Sequence, residues 1–139
     1  MPQGFRYVYN DYGKDPTRIT EFLMTDSEAG FAGEAVKIVA GRVTKAGATD
    51  PIAGFLTSNV TAGTNKSTEI ILAREGDWYD VPYTGTPVAG FVPGVVGVVL
   101  ASDGLSANSA TVTGGQLSVL QVNTNKKIAR VKVKVRQFS

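Results

Sequence analysis

The side chains with the clearest chemical potential lie at the end of the chain. In Ile128-Ala129-Arg130-Val131-Lys132-Val133-Lys134-Val135-Arg136, the cations Arg130, Lys132, Lys134 and Arg136 share one parity and Val131, Val133 and Val135 share the other. Four cations in file read as a solvated face or a protected sheet edge, and could otherwise follow a phosphate backbone or meet an acidic protein surface. No aromatics interleave with them, as a platform for single-stranded nucleic acid requires, and that argues against nucleic acid. A second constellation is Glu75, Asp77 and Asp80 around Trp78 and Tyr79. Carboxylates beside aromatics suit glycan binding, glycoside hydrolysis or calcium. On a strand, however, Asp77, Tyr79 and Val81 face opposite to Trp78 and Asp80, so these acids do not converge. The third group is aromatic: Phe5, Tyr7, Tyr9 and Tyr12, with Arg6 among them. Such side chains supply a large contact area at low entropic cost.

What the chain lacks narrows the chemistry. It has no cysteine and no histidine. There is thus no disulfide, no thiol nucleophile, and neither the commonest general base nor the commonest transition-metal ligand. No recognisable Ser/Lys or Thr-type nucleophile motif is present, and no Walker sequence. Gly90, Gly94 and Gly97 are wrongly spaced for a dinucleotide loop. No catalytic, cofactor-binding or metal-binding residue is therefore assigned, and the chain is read as a non-enzyme with no cofactor.

Charge is unevenly spread. Net charge is +2, yet Lys126, Lys127, Arg130, Lys132, Lys134 and Arg136 all fall in the last fourteen residues, which contain no acid; the rest is net acidic. The N-terminus has no apolar core of a signal peptide, with Arg6, Asp11 and Lys14 interrupting it. The uncharged run 81–102 contains Pro82, Pro87 and Pro93 and is not read as a membrane span. The sequons at Asn59 and Asn65 are read as chance.

The elements that must position these groups are strands. Residues 1–18 read as an extended N-terminal arm docking on a neighbouring protein; the other reading is a first strand packed on its own barrel. Residues 19–139 read as a single domain. Period-two alternation, or short β-branched and apolar runs, mark strands at 19–24, 34–40, 42–45, 52–57, 68–74, 78–81, 117–122 and 128–136. Val88–Val92 and Val95–Ala101 are further β-branched runs, while 83–86 is expected to be loop between prolines. Helix is expected for at most a turn, near 25–30 or 102–110. Asp50-Pro51-Ile52-Ala53-Gly54-Phe55 is echoed by Thr86-Pro87-Val88-Ala89-Gly90-Phe91, which raises the idea of two barrel halves using the same corner. The expected fold is all-β: a small β-barrel or sandwich of short antiparallel strands.

Gly33-Glu34-Ala35-Val36-Lys37-Ile38-Val39-Ala40-Gly41-Arg42-Val43-Thr44-Lys45, followed by Asp50-Pro51-Ile52-Ala53-Gly54-Phe55, resembles the G-D-A-V, G-x-V-T-K-A and P-I-G-V run of the capsid cement, or head decoration, proteins of tailed bacteriophages. Glu75 to Pro82 is similar to that family's strand ending in V-P, and Asn125 to Val133 to its closing basic strand. The resemblance covers roughly 30–136. It implies a structural protein on the exterior of a mature virion head, made in the host cytoplasm. It also implies assembly as a trimer, with the major capsid protein as partner. Phe5, Arg6, Tyr7, Tyr9 and Tyr12 are then the expected capsid or subunit contacts, and Arg130, Lys132, Lys134 and Arg136 a charged contact face. The alternatives are a nucleic-acid module using the basic strand and a carbohydrate module using Trp78 and Tyr79.

Overall fold

Twelve strands run along the described residues, 4–138, of the computed structural model, and none of those residues is helical. Five strands close a barrel in the order β8 (Asp77–Thr84), β10 (Ala107–Asn108), β9 (Val96–Leu100), β11 (Leu117–Asn123) and β12 (Ile128–Val133), which returns to β8; β1 (Arg6–Asn10) lies along the start of β8. A second sheet has the order β2 (Arg18–Ile19), β7 (Ile70–Leu72), β6 (Gly54–Leu56), β4 (Ala35–Val39), β5 (Arg42–Lys45) and β3 (Leu23–Met24). The chain is thus the all-β single domain that its alternation implies. Pairing is antiparallel except at β8–β10 and β3–β5, which are parallel.

Strand β8 shows the period-two code most plainly. Asp77, Tyr79, Val81 and Tyr83 are buried, and Trp78, Asp80 and Pro82 face outward. The strand runs through Pro82 to Thr84, where a loop was expected. The neighbours explain why it survives. Tyr83 donates its N–H to the Lys127 carbonyl on the β12 side (3.2 Å). Successive N–H groups point to opposite edges, so the donor that Pro82 lacks would face the other edge. On that edge β1 has already ended, at Arg6 opposite Asp80, and β10 starts only at Ala107 opposite Tyr83. The proline sits in the gap between two partners.

Two cores share the second sheet. The barrel interior, with Tyr79, Val81, Leu100, Leu117, Val119 and Val131, continues onto Ala35, Ile52 and Phe55. The opposite face of that sheet carries Val36, Val43, Leu56 and Ile70, packed with Met24 and Val60. Burial of both faces accounts for the unbroken apolar stretch at 52–56. An aromatic chain joins the layers. Phe5 stacks on Phe55 at 4.5 Å between ring centroids, Phe55 lies 4.5 Å from Tyr79, and Tyr7 meets Tyr79 edge-on at 5.9 Å. Gly54 is where the backbones approach too closely for a side chain, since a Cβ there would overlap the Ile71 carbonyl oxygen.

Several expectations need correction. The run Val88–Val92 forms turns rather than a strand, with only Phe91 buried against Tyr83. The two echoed hexapeptides do not form equivalent corners: Ile52–Phe55 is core, whereas Val88–Gly90 is exposed loop. The basic strand stops at Val133, three residues early. There the chain leaves the barrel and crosses to the second sheet, where Ile52 donates to the Val135 carbonyl and Gln137 donates to Ile52 (both 3.0 Å). The Gln137 amide then takes both backbone groups of Ile38, accepting from its N–H and donating to its carbonyl at 2.8 Å each. Phe138 stacks on Phe22 just beyond.

Gln116 fastens the barrel to the second sheet. Its buried side chain accepts from the Leu100 N–H (3.2 Å) and donates to the carbonyls of Gly47 (3.2 Å) and Asp50 (3.0 Å). Gln116→Leu removes three hydrogen bonds, although the Leu100 N–H keeps the Ala48 carbonyl and the Gly47 carbonyl keeps the Asp50 N–H (both 3.3 Å), and it is expected to destabilise the protein by about 1–2 kcal/mol in urea unfolding. The β4–β5 hairpin turns through Ala40 (φ 51°) and Gly41 (φ 80°), a two-residue turn with both residues left-handed. Ala40 carries a left-handed penalty that asparagine largely avoids, so Ala40→Asn is expected to raise stability by about 0.5–1 kcal/mol in the same assay.

Candidate functional site

The outer face of β1, β8, β12 and β11 collects the groups singled out in the sequence, and two bulges decide which of them reach it. Between Tyr7 and Tyr9 the register of β1 on β8 shifts, so Tyr7 lies opposite Tyr79 but Tyr9 lies opposite Trp78. Val8 is the extra residue. In an unbulged ladder Val8 would pair with Trp78, and Tyr9 would share the inward parity of Tyr7. Phe5, Tyr7 and Tyr9 therefore do not line one face as their alternation suggested. Phe5 is core, Tyr7 is half-buried on Tyr79, and Tyr9 turns outward onto the Trp78 ring (4.9 Å). In β11 the same shift between Val119 and Gln121 carries Gln121 outward, opposite Arg130, and lets Val122 face Ala129.

The result is a row of four cross-strand neighbours: Arg6, Asp80, Arg130 and Gln121. Asp80 is the centre of the row. Its Oδ2 accepts from Arg6 Nη2 (3.0 Å) and Arg130 Nη2 (3.1 Å), and its Oδ1 from Arg130 Nε (2.8 Å). The bond to Asp80 holds the Arg130 pKa above its ordinary value. Beside the row opens a groove of about 640 Å³, also lined by Asn123, Thr124 and Lys126.

One row along, Asp11 organises a second cluster. Its carboxylate accepts from Lys132 Nζ (2.6 Å) and from the Trp78 indole N–H (2.5 Å), and the Lys132 ammonium sits 5.2 Å from the Trp78 ring centroid. The Lys132 bond first, and the Trp78 bond next, hold the Asp11 carboxyl below its usual range. Tyr12 is largely exposed beyond this cluster.

The four strand cations thus part company. Arg130 and Lys132 project from the barrel face and are ion-paired there. Lys134 lies past the end of the strand and donates to the Val96 carbonyl (2.8 Å). Arg136 lies beyond the crossover, bridged to Ile52, with its guanidinium on the Val133 carbonyl. Of residues 1–18, Met1–Gln3 lie outside the described residues; Phe5 to Asn10 belong to the barrel sheet and its core rather than to a free extension. Burying Phe5 alone is worth about 3–5 kcal/mol against alanine, so removing this segment would cost fold as well as contact.

The acidic cluster separates as its parity indicated. Asp77 is fully buried and holds Arg74 through both carboxylate oxygens (3.0 and 2.9 Å) and Asn10 at 2.8 Å, which pins the end of β1 to the start of β8. Burial, and then Asp77, push the Tyr79 hydroxyl far above the ordinary phenol value. Tyr79 is core, so only Trp78 of the pair suggested for carbohydrate reaches the surface. Among the described residues no three acidic side chains gather to hold a metal ion. Sequence reasoning missed Asp11, Asp80, Gln121 and Lys126 as parts of this face. The outward parity of Asp80 was legible, but its partners are set by register between distant strands.

The single tryptophan gives the Asp11 cluster its own reporter. Because the folded pKa of Asp11 is depressed, the contact persists below the ordinary value of 3.8 and is lost as pH falls through the lower folded value. Trp78 emission is expected to titrate with a midpoint below pH 3.8, and Asp11→Asn to abolish that step. In comparisons with known proteins, the sequence matches no protein-family model and no curated protein.

Proposed function

We propose that this chain is a structural decoration protein that binds the outer surface of a mature tailed-phage head and braces the capsid lattice. The observation that carries the reading is the outer face of β1, β8, β12 and β11. There, guanidinium, ammonium and aromatic groups stand on a closed barrel and are held in place by cross-strand carboxylates. Arginine and exposed aromatics are the side chains that dominate protein–protein contacts. Rigid mounting lowers the ordering cost of association. The head as partner is read from the resemblance of residues 33–55, 75–82 and 125–133, and assembly as a trimer from the same source. The role is adhesive rather than catalytic. A protein that binds only the expanded lattice stabilises it by mass action, and many copies on one shell add their effects.

The expected contacts are the outward groups Tyr9, Tyr12 and Arg6 rather than Phe5 and Tyr7, whose rings are occupied within the chain. Purified protein is expected to bind expanded heads and not procapsids. The double variant Tyr9→Ser, Tyr12→Ser should lose about tenfold or more in affinity while keeping its unfolding midpoint close to the parent's. Equal occupancy of both head forms, or undiminished binding by the folded variant, would defeat the proposal.

A further inference from the structure

The groove beside the Arg6–Asp80–Arg130 row has a charge excess that its own contacts do not consume. Asp80 is the one acid among its lining residues, against Arg6, Lys126 and Arg130. Each guanidinium carries five N–H donors. Arg6 directs one of them to Asp80 and Arg130 two. The carboxylate is only 13% exposed, whereas the Arg6 side chain is 68% exposed. Asp80 therefore orients two guanidinium groups side by side more than it presents negative charge. Gln121, Asn123 and Thr124 add neutral hydrogen-bonding groups to the lining.

We infer that this groove binds a carboxylate-rich, extended segment of a protein partner, with Arg6 and Arg130 receiving one carboxylate and Lys126 another. The inference rests on the reading of this face as the contact surface and names the chemistry that the partner brings to it. Two adjacent guanidinium forks match the planar, two-oxygen geometry of a carboxylate. The surroundings fit a nucleic acid poorly. The Trp78 ring, on which a base would stack, is taken up by Tyr9, Lys132 and Asp11.

The test is a titration of isotopically labelled protein with an eight-residue oligoglutamate peptide, followed by backbone amide shifts. Saturable shifts are expected at Arg6, Asp80, Gln121, Lys126 and Arg130, with affinity weakened about tenfold in the double variant Arg6→Gln, Lys126→Gln. Both side chains are exposed, so the variant is expected to fold; its amide spectrum away from the groove checks this. Shifts absent from the groove, or unchanged affinity in the folded variant, would overturn the inference. Tighter binding of an eight-residue oligothymidylate at the same amides would also overturn it, assigning the groove to nucleic acid. Head decoration is scored separately. Undecorated heads with a successful peptide titration remove the phage head as partner and leave the groove. Decorated heads with a failed titration do the reverse.

Discussion

Strand β8 must find hydrogen-bond partners along both edges, and the molecule is arranged around how it does so. On one edge it pairs continuously with β12, which closes the barrel. On the other it pairs first with β1 and then with β10, changing partner where Pro82 has no donor to offer. That change divides the two ends of the strand by role. The β1 end carries the buried Asp77 carboxylate, held by Arg74 and Asn10, and the outward Trp78 and Asp80. The β10 end carries Tyr83, packed on Phe91 in the loop beyond the strand. A buried carboxylate is tolerable only because several donors meet it at once.

The outer face inherits its composition from two inserted residues. Val8 and Leu120 each interrupt a ladder, and each reverses the parity of the residues beyond it. One reversal delivers Tyr9 to Trp78; the other delivers Gln121 to Arg130. Between them lies Asp80, whose two oxygens satisfy three guanidinium bonds. Exposed ion pairs of this kind add little stability singly. Their effect here is orientation, since they fix where the cations of β1 and β12 point. The same arrangement gives the strand cations unequal roles, with two committed to the barrel face and two displaced by the crossover at Val133.

Alternation alone was enough to find β8 and β12, because each has one face against the barrel interior and one facing outward. The hairpin at Ala40-Gly41 was equally legible, since short alternating runs flank a turn residue. What stayed hidden depends on partners remote in sequence. No local pattern in Phe5-Arg6-Tyr7-Val8-Tyr9 announces that Val8 is extra; only the pairing with β8 shows it. The strand through Pro82 looked forbidden because the gap on one edge is made by residues 6 and 107. Val88–Val92 has strand composition but finds no ladder, and its likeness to Ile52–Phe55 is one of letters rather than environment. Of the candidate face, the cations and aromatics were visible individually. Asp80 was visible too, on the face of Trp78, but the pairing of Asp80 and Asp11 with those cations was not, because their partners lie between 50 and 121 residues away.

The Gln137 side chain imitates a missing strand. It occupies the N–H and carbonyl of Ile38 at the place where β6 no longer accompanies β4. Val39 and Phe138, both half-exposed, flank that spot. Bare backbone bordered by apolar side chains is a template for recruiting a foreign strand. The Gln137 carboxamide thus acts as a stopper, occupying the two backbone groups that such a strand would use.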